Sequence, residues 1–492
     1  MGHHFVGADI GTTGIRAGVY DDNFRLLGTG SGKSLVKRGK KGEIIQEADD
    51  IYRETAGAVR EAVARSGIDP GEIACLSFDG QMAGVMGIDA AWEAVTPYDS
   101  WLDTRCSSQV KAMGAKARDL VVNRTGIIPS YNHGPKILWW KEREPDVYDR
   151  IRSFVQPAAY TAGRLCRLSG DDAFIDWSYL HFSGFADNRS LVWDEELTGL
   201  FGVDRDKLPA VVAPATVIGH TAKAEAGRFG VKPGIPVAAG CGDTASCFLG
   251  TGAVSPGTAV DVAGTASVFA LTTDRFVSDT EGLVYASRSV IEGIWYIMSY
   301  INGGGMNLEW FRETFAGDRS FDELNNLIEE IGPGSEGLVF IPHLEGRAYP
   351  NDPGMRGRWS GFTRAHGLAH FYRSVLESVG YEYALYMERI LKNLGDQRVT
   401  ELRGVAGGSK SAVWSQIKAD ILGCSYHTID RDDVSLLGQA LIAAAAVGAV
   451  KDIGRAAEGI TTIERTYTPR DENHQAYGPW IQRYREMLQG EG

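Results

Sequence analysis

The sequence predicts an α/β protein of two domains, and three observations support this. The chain has 492 residues, which is too long for one ordinary hydrophobic core and suits two domains of roughly 200–250 residues each. Strand-like apolar runs alternate with segments of helical periodicity. A glycine–threonine turn between two apolar runs occurs at residues 9–14 and again at residues 262–267, about half a chain later. We therefore expect one turn motif to be used once in each domain.

The repeated turn is suited to binding phosphate. Glycine tolerates positive φ, so a strand ending in Gly-Thr can turn sharply and present backbone N–H groups and hydroxyls to phosphate oxygens. The first copy carries Asp9 and Arg16, whereas Val262 stands at the aspartate position of the second copy. This asymmetry predicts that a metal ion and the γ-phosphate bind beside the first copy, with one nucleotide held between two lobes.

The first domain is predicted to begin with a hairpin that is followed by a helix. Strands are expected over residues 5–9 and 15–20, on either side of the first turn. Apolar positions at helical spacing indicate a helix over residues 48–65. A buried strand over residues 73–78 leads to a loop that begins at Asp79. Loops at strand ends are where α/β proteins bind ligands, so this loop is a candidate binding segment.

The middle of the chain predicts the domain boundary. A strand of small residues ends just before Asp243, which lies at a strand-to-helix junction. The richest turn cluster near mid-chain follows at residues 250–257. We therefore predict one domain over residues 1–252 and a second over residues 253–492.

Two more glycine turns each precede a helix in the second domain. They lie at residues 303–305 and 407–409, and both suit a close approach of a nucleotide to the backbone. The longest apolar run, residues 440–450, is rich in alanine and predicts a tightly packed buried helix. It is far shorter than the ~20 residues that a membrane span requires.

Charge and composition exclude several classes of partner. The net charge is −13 and there is no run of lysine or arginine, which argues against binding to nucleic acid or to anionic membranes. The N-terminal residues lack the pattern of a secretory signal, so a cytoplasmic location is expected. Six cysteines are scattered without a C-x-x-C pair, which favours reduced thiols over disulfides or a zinc site.

Two long motifs resemble those of the FGGY family of carbohydrate kinases, with the xylulokinase-like branch the most similar. The sequence GRWSGF at residues 357–362, followed by HFYRSVLE at residues 370–377, is similar to the family's C-terminal signature. The KILW stretch at residues 136–139 is similar to the family's other signature, from which His133 and Trp140 depart. The resemblance runs from about Phe5 to Val450.

The resemblance implies a fold, cofactors and site residues. The implied fold has two ribonuclease-H-like domains of the actin and hexokinase type, with a cleft between them. ATP and Mg²⁺ are implied, with Asp9 as the catalytic residue that organises the metal ion and Asp243 as the catalytic base. The implied nucleotide and phosphate contacts are Thr12, Thr13, Arg16, Gly264, Thr265, Gly305, Gly408 and Ser409.

The same resemblance points to a small sugar as the substrate. The GQMA loop resembles the Gly-Gln-Met-His loop of xylulokinases, with Ala83 in place of histidine, and residues 101–105 resemble the Trp-Asn-Asp-x-Arg stretch of that branch. A ketopentose such as xylulose is the leading prediction; ribulose, gluconate and polyols remain open, while glycerol is disfavoured. The implied sugar contacts are Gln81, Met82, Ala83, Trp101, Asp103 and Asp243.

Structural roles compete with these functional ones. Asp9 would also stabilise a turn, and Asp243 would also cap the helix that follows it. Asp103 would also form an ion pair with Arg105, and Met82 would also be a core residue. As a whole, the chain would also suit an actin-like nucleotide-binding protein without kinase activity. A homodimer is one assembly that the resemblance allows.

Overall fold

The computed structural model describes residues 3–490, which form two compact units. The first unit comprises residues 3–254, 286–295 and 433–460. The second unit comprises residues 255–285, 296–432 and 461–490. The predicted division into residues 1–252 and 253–492 therefore needs a correction, because two segments from the second half of the chain belong to the first unit.

The strands are as follows, in chain order: β1 (His4–Ile10), β2 (Gly14–Tyr20), β3 (Leu26–Lys33), β4 (Val36–Arg38), β5 (Ile44–Gln46), β6 (Ile73–Gly80), β7 (Met86–Ile88), β8 (Tyr98–Asp99), β9 (Ser153–Val155), β10 (Phe174–Asp176), β11 (Ala186–Asp187), β12 (Val192–Trp193), β13 (Ala210–Val212), β14 (Val217–His220), β15 (Pro236–Ala238), β16 (Cys241–Gly242), β17 (Thr258–Ala263), β18 (Ser267–Thr273), β19 (Tyr285–Arg288), β20 (Trp295–Ile301), β21 (Val339–Ile341), β22 (Arg358–Ser360), β23 (Glu401–Val405), β24 (Ser425–Ile429) and β25 (Ile463–Tyr467).

The α-helices are α1 (Ala48–Ser66), α2 (Ser107–Thr125), α3 (His133–Arg143), α4 (Pro145–Arg150), α5 (Pro157–Cys166), α6 (Glu195–Phe201), α7 (Lys223–Phe229), α8 (Asp243–Gly250), α9 (Gly305–Phe311), α10 (Phe321–Leu327), α11 (Leu368–Leu394), α12 (Ala412–Leu422), α13 (Val434–Ala446), α14 (Ile453–Ile460) and α15 (Asp471–Leu488). A π-helical turn, Arg312–Ala316, follows α9. Short 3-10 helices lie at Pro70–Glu72, Gly170–Asp172, Trp177–Phe182, Arg205–Lys207, Ser335–Gly337 and Gly407–Lys410.

The sheet of the first unit aligns the ends of three strands. Its strand order is β14-β15-β6-β1-β2-β3, and β16 also pairs with β6. β1 and β2 form an antiparallel hairpin, as the sequence predicts, and β6 runs parallel to β1 with Asp9 opposite Asp79. β16 is parallel to β6 and places Cys241 opposite Asp79. The segment that ends just before Asp243 therefore lies at the same sheet end as Asp9.

Both faces of this sheet are covered, which explains the continuous apolar character of β1. After the half-buried His4, every residue of β1 is buried, as is typical of strands covered on both sides. α1 packs against β2 and β3, and α13 packs against β1 and β6. The predicted helix over residues 48–65 is confirmed as α1, which ends at Ser66 and is followed by Gly67 in the left-handed region with φ 73°.

Helix α13 explains why a late segment belongs to the first unit. The peptide backbone of α13 approaches β1 so closely that a Cβ at Gly7 would lie 2.5 Å from the carbonyl oxygen of Leu436. The Ser77 hydroxyl donates a hydrogen bond to the side-chain oxygen of Gln439. The absence of a side chain at Gly7 permits this approach. The predicted helix over residues 440–450 is only partly confirmed, since α13 ends at Ala446 and a turn follows.

The second unit repeats the arrangement around its own hairpin. The strand order within this unit is β20-β18-β17-β23-β24-β25. β17 and β18 form an antiparallel hairpin around the second glycine–threonine turn, and β17, β23 and β24 run parallel. Helices α11 and α12 pack against each other beside this sheet. The repeat of the turn in the sequence is thus a repeat of the same hairpin in each unit.

Two further expectations concern the chain as a whole. All six cysteines are free thiols in the structure. Within residues 3–490, no helix combines the length and the apolar character that crossing a membrane would require.

Candidate active site

The first hairpin turn places a carboxylate beside a guanidinium group. Asp9 is near the end of β1 and only 7% exposed, and its Oδ2 accepts a hydrogen bond of 2.7 Å from Nη2 of the half-exposed Arg16. The two residues face each other in the β1–β2 register. Thr13 is exposed in the turn between them. The turn thus places the Asp9 carboxylate, the Arg16 guanidinium group and the exposed Thr13 hydroxyl close together.

A chain of hydrogen bonds joins this turn to the predicted sugar-binding residues. Trp101 Nε1 donates to the Thr12 hydroxyl at 2.9 Å, and that hydroxyl donates to Gln81 Oε1 at 3.2 Å. Gln81 Nε2 donates in turn to Gln46 Oε1 at 2.7 Å. Three residues that the sequence analysis singled out are therefore held together by direct contacts. Gln46, at the end of β5, was missed because no local motif marks it.

Asp243 begins α8 and combines burial with access to solvent. Gly242 occupies the N-cap position, so Asp243 is not the helix cap that its sequence position suggested. Its Oδ1 accepts hydrogen bonds from the Thr244 backbone N–H at 2.6 Å and from the Thr244 hydroxyl at 3.1 Å. Burial, and next the negative charge of Asp9, raise the pKa of Asp243 to about 7, against the opposing effect of these hydrogen bonds. A carboxylate tuned in this way suits proton transfer at neutral pH.

Asp79 is a third carboxyl group at this site; the sequence analysis placed it at the start of a candidate binding loop, whereas the structure places it within β6. It is fully buried opposite Asp9, and neither of its carboxyl oxygens has a hydrogen-bond partner among the described residues. Burial, together with the charges of Asp9 and Asp243, raises the pKa of Asp79 well above its ordinary value. Burial and the two neighbouring carboxylates therefore disfavour the charged form of Asp79.

The predicted sugar loop packs directly beside Asp243. Met82 is buried among Ile175, Tyr179 and Leu180. A Cβ at Gly242 would lie 2.4 Å from the Met82 methyl carbon, so this methionine touches the residue that precedes Asp243. Met82 can therefore pack in the hydrophobic core and also line the candidate sugar site beside Asp243. Ala83 has a φ of 60°, in the left-handed region that non-glycine residues seldom occupy.

Asp103 is engaged in a buried ion pair. One oxygen accepts hydrogen bonds from the Ile44 N–H at 2.9 Å and from Arg105 Nε at 2.8 Å, and the other accepts from the Arg105 N–H at 2.9 Å. Arg105 also pairs with Asp99 and lies 4.5 Å over the ring of Trp139. The structure thus shows the ion pair with Arg105 that the sequence analysis weighed against sugar contact. Sugar contact by Asp103 stays a prediction.

The second unit brings its own predicted residues together around the β17–β18 turn. The Gly305 N–H donates to the Gly264 carbonyl oxygen at 2.9 Å, and the Met306 N–H donates to that of Thr265 at 3.1 Å. A Cβ at Gly408 would lie 2.8 Å from the Cβ of Ala263, so only glycine permits this approach. Three glycine turns therefore meet at one place.

Two side chains complete this second cluster. Thr265 is exposed at the tip of the turn. Ser409 is buried in the 3-10 helix Gly407–Lys410, and its hydroxyl donates to the Ala406 carbonyl oxygen at 2.7 Å. Ala406 has a φ of 69°, so the segment that leads into this turn is held in an uncommon conformation. The backbone of these glycine turns leaves no room for a bulky side chain, and the exposed Thr265 hydroxyl lies at its surface. Such a surface is suited to binding a nucleotide.

The first unit offers carboxylates that suit Mg²⁺. Within residues 3–490, no group of three or more His, Cys, Asp or Glu side chains is arranged to hold a metal ion by itself. Mg²⁺ does not require such a cage, since it is commonly held by one or two carboxylates together with phosphate oxygens and water. Asp9, with the unpartnered carboxyl oxygens of Asp79 beside it, meets that requirement.

Comparison with known families covers both units. The sequence model for the FGGY family of carbohydrate kinases, N-terminal domain, matches residues 4–250. That for the C-terminal domain of the same family matches residues 259–447.

Individual relatives agree with this assignment. A xylulose kinase of Bacillus subtilis is 25% identical over 489 residues, which cover 98% of this chain and 96% of that protein. A gluconokinase of the same organism is 26% identical over 494 residues, which cover 97% of this chain and 94% of that protein.

A solved structure shows that the fold is shared. The crystal structure of ligand-bound xylulose kinase from Lactobacillus acidophilus has a TM-score of 0.92 and 21% identity, and covers 99% of this chain and 98% of its own. The prediction of an α/β fold of the actin and hexokinase type is confirmed. The alternative of an actin-like protein without kinase activity is set aside, because both domain models belong to carbohydrate kinases. This chain belongs to the FGGY family of carbohydrate kinases, in its xylulokinase-like branch.

Proposed function

We propose that the protein transfers the γ-phosphoryl group of ATP to a hydroxyl group of a ketopentose, with Asp243 as the general base. The observation that carries this proposal is Asp243 itself. It is the accessible carboxylate at the strand-to-helix junction, and its pKa is raised to about 7 by burial and by Asp9. A base for an alcohol must be deprotonated when the substrate binds and must accept a proton during transfer, and a pKa near neutrality suits both steps.

The proposed step balances without a further reactant. The sugar hydroxyl loses its proton to Asp243 while its oxygen forms a bond to the γ-phosphorus. The bond from that phosphorus to the β–γ bridging oxygen breaks, and ADP leaves with this electron pair. The products are a sugar phosphate, ADP and the proton, which Asp243 then releases to solvent. Such transfer depends mainly on positioning and on charge stabilisation rather than on covalent chemistry by the protein.

The two glycine–threonine turns would bind the phosphates. We assign Thr12, Thr13 and Arg16 to one phosphate site, and Gly264 with Thr265 to the other. Asp9 is the residue that would hold Mg²⁺. When bound, this ion offsets the negative charge of the phosphate oxygens. The paired Arg16 fixes the direction of the Asp9 side chain, since it donates a hydrogen bond to one carboxylate oxygen.

The base and sugar of the nucleotide would lie against the second glycine cluster. Gly305, Gly408 and Ser409 are the proposed contacts, because their backbone forms a closely packed surface without bulky side chains. Glycine permits a ligand to approach the backbone closely, and the start of a helix favours negative charge.

A sugar would be held by residues of the first unit. We assign this role to Gln81, Met82, Ala83, Trp101 and Asp103, with Asp243 at the reacting hydroxyl. Xylulose is the first candidate, because the relatives include xylulose kinases of several bacteria. Gluconate is the second, because a gluconokinase is related at the same level of identity.

The proposed substrate is tested by kcat/KM for ADP release across ketopentoses, aldonates and polyols, with Mg-ATP in excess. We expect a ketopentose to exceed the other classes by at least about tenfold, which corresponds to about 1.4 kcal/mol in transition-state binding. Protein that has been heat-inactivated is the control for contaminating hydrolysis. A preference for gluconate would replace the ketopentose assignment and leave the kinase mechanism in place.

The pH dependence of kcat/KM should report Asp243. The carboxylate form is the active one, so activity is lost as the pH falls through a pKa of about 7 and levels off above it. Measurement of kcat/KM between pH 5.5 and 9 checks this expectation, because kcat/KM reports the pKa values of the free enzyme. A profile that stays flat down to pH 5.5 would mean that no group with a raised pKa acts as the base.

The cell compartment follows from the proposed chemistry. ATP and reduced thiols are both features of the cytoplasm, and the six free cysteines fit a reducing environment. We propose a cytoplasmic location on that ground.

A further inference from the structure

The chain reaches Asp243 through a short, interrupted strand. β16 comprises only Cys241 and Gly242, and a bend at Gly240 separates it from β15. Gly240 has a φ of 74°, and a Cβ there would collide with the carbonyl group of Phe78. A strand of two residues forms a very short ladder with β6, since strands usually have at least three residues. The position of Asp243 therefore depends on contacts beyond this ladder.

The 3-10 helix Trp177–Phe182 supplies one such contact through Ser178. The Ser178 hydroxyl accepts a hydrogen bond of 2.9 Å from the N–H of Gly242, the residue that precedes Asp243. Ser178 is fully buried, and its own N–H donates to the Asp176 carboxylate at 2.8 Å. The start of the 3-10 helix is thus fixed by a cap, and the N-cap residue of α8 is tied to it.

The neighbouring Tyr179 joins β16 to β6. Its hydroxyl lies 2.9 Å from the carbonyl oxygen of Gly80 and 3.2 Å from that of Cys241. Burial, followed by the negative charges of nearby groups, raises the pKa of Tyr179 well above its ordinary value, so the hydroxyl keeps its proton and shares it between the two acceptors. Gly80 precedes Gln81, so one hydroxyl links the predicted sugar loop to the strand that leads to Asp243.

The ring of Tyr179 supports the same link. It belongs to the buried apolar cluster that contains Met82, and the Met82 methyl group touches Gly242. We propose that Ser178 and Tyr179 are positioning residues that set the place of the Asp243 carboxylate relative to the sugar hydroxyl. They act through backbone atoms and not on the reacting atoms. This role rests on the proposed function of Asp243 as the base. A misplacement of about 1 Å can cost roughly a hundredfold in rate, so such contacts matter for turnover.

Tyr179→Phe tests the contact, because it keeps the ring and removes the hydroxyl. With Mg-ATP and a saturating ketopentose, kcat should fall by at least about tenfold. The KM for ATP should stay within about twofold of wild type, since no proposed nucleotide contact is changed. Tyr52→Phe is the matched control. Tyr52 is also a buried tyrosine of the first unit, and its hydroxyl donates to Glu225 at 2.9 Å, so kcat should be unchanged.

A double-mutant cycle with Asp243→Asn separates positioning from a purely structural role. In that background Tyr179→Phe should change the residual turnover by less than about twofold, because the base through which Tyr179 acts is gone. A general effect on the fold would lower turnover by the same factor in both backgrounds. Equal losses would therefore overturn the positioning role and leave Asp243 as the base. Wild-type turnover by Asp243→Asn alone would refute the base, and the positioning role with it.

Ser178→Ala is a second variant for the same cycle. It removes the acceptor of the Gly242 N–H and leaves Tyr179 in place. We expect kcat to fall by at least about fivefold in the wild-type background and by less than about twofold in Asp243→Asn. Thermal unfolding identifies the variants that are folded, and Ser178→Ala decides if Tyr179→Phe is not. Wild-type kcat in the folded variants would overturn the proposal.

Discussion

Asp243→Asn should lower kcat by about a thousandfold and leave ATP affinity nearly unchanged, because general bases contribute roughly 10²–10⁴ in rate. Asparagine keeps the size of the side chain and can still accept the hydrogen bonds from Thr244, but it cannot take a proton from the sugar hydroxyl. The variant also removes a group whose pKa is raised mainly by burial, so it should not destabilise the fold. Steady-state turnover and a separate ATP titration distinguish the two effects.

The matched control for this variant is Thr244→Val. It removes the hydroxyl that donates to Asp243 and keeps both the carboxylate and the backbone hydrogen bond, so kcat should fall by no more than about tenfold. Turnover by Asp243→Asn at the wild-type rate would exclude Asp243 as the base. An equal loss of kcat in Asp243→Asn and Thr244→Val would indicate that Asp243 positions the substrate and does not accept its proton.

Lys418→Met should lower the free energy of unfolding by about 3–5 kcal/mol, the range for breaking a buried ion pair by removal of one partner. Lys418 and Asp261 are both fully buried and paired. The carboxylate also accepts hydrogen bonds from the hydroxyls of Tyr383 at 2.7 Å and Tyr426 at 2.8 Å. Without the ammonium group, the Asp261 carboxylate keeps two neutral hydroxyl donors among residues 3–490. Urea unfolding at pH 7 measures the loss.

The double variant Lys418→Met/Asp261→Asn should recover much of this loss, because no buried charge is left without a partner. Lys410→Met is the surface control. Lys410 pairs with Asp432 in an exposed position, and an exposed pair contributes little. If Lys418→Met unfolds at the same urea concentration as Lys410→Met, the buried pair does not stabilise the second unit. Since Asp261 lies in β17, three residues before Gly264, the same network also supports the proposed phosphate turn.

The sequence predicted the parts of the fold that local patterns encode. Both hairpins were predicted, because glycine and threonine at a strand end require a tight turn whatever the rest of the chain does. The return of α13 to the first unit was not predicted, since its contact with Gly7 joins residues more than 400 positions apart. A pattern of apolar residues within a short stretch of sequence carries no information about the packing of α13 against β1.

In the candidate site, too, the residues marked by local motifs were predicted, and those that depend on distant contacts were not. Asp9, Thr12 and Gln81 were selected from motifs, and the structure places them within one small region of the first unit. Gln46 was missed, and Asp79 was named only as the start of a candidate binding loop, because the contacts of both arise only when β5 and β6 lie beside the turn. For Asp103 the sequence left two roles open, and the structure shows the ion pair with Arg105.

The most direct test of the proposed reaction follows the γ-phosphorus itself by ³¹P NMR, with Mg-ATP, a ketopentose and the wild-type enzyme. We predict that the γ-phosphate signal is replaced by a phosphomonoester signal on the sugar, with ADP formed in equal amount, and that Asp243→Asn forms the monoester about a thousandfold more slowly. Formation of ADP with inorganic phosphate alone, or of a monoester at the wild-type rate by Asp243→Asn, would contradict transfer to the sugar with Asp243 as the base.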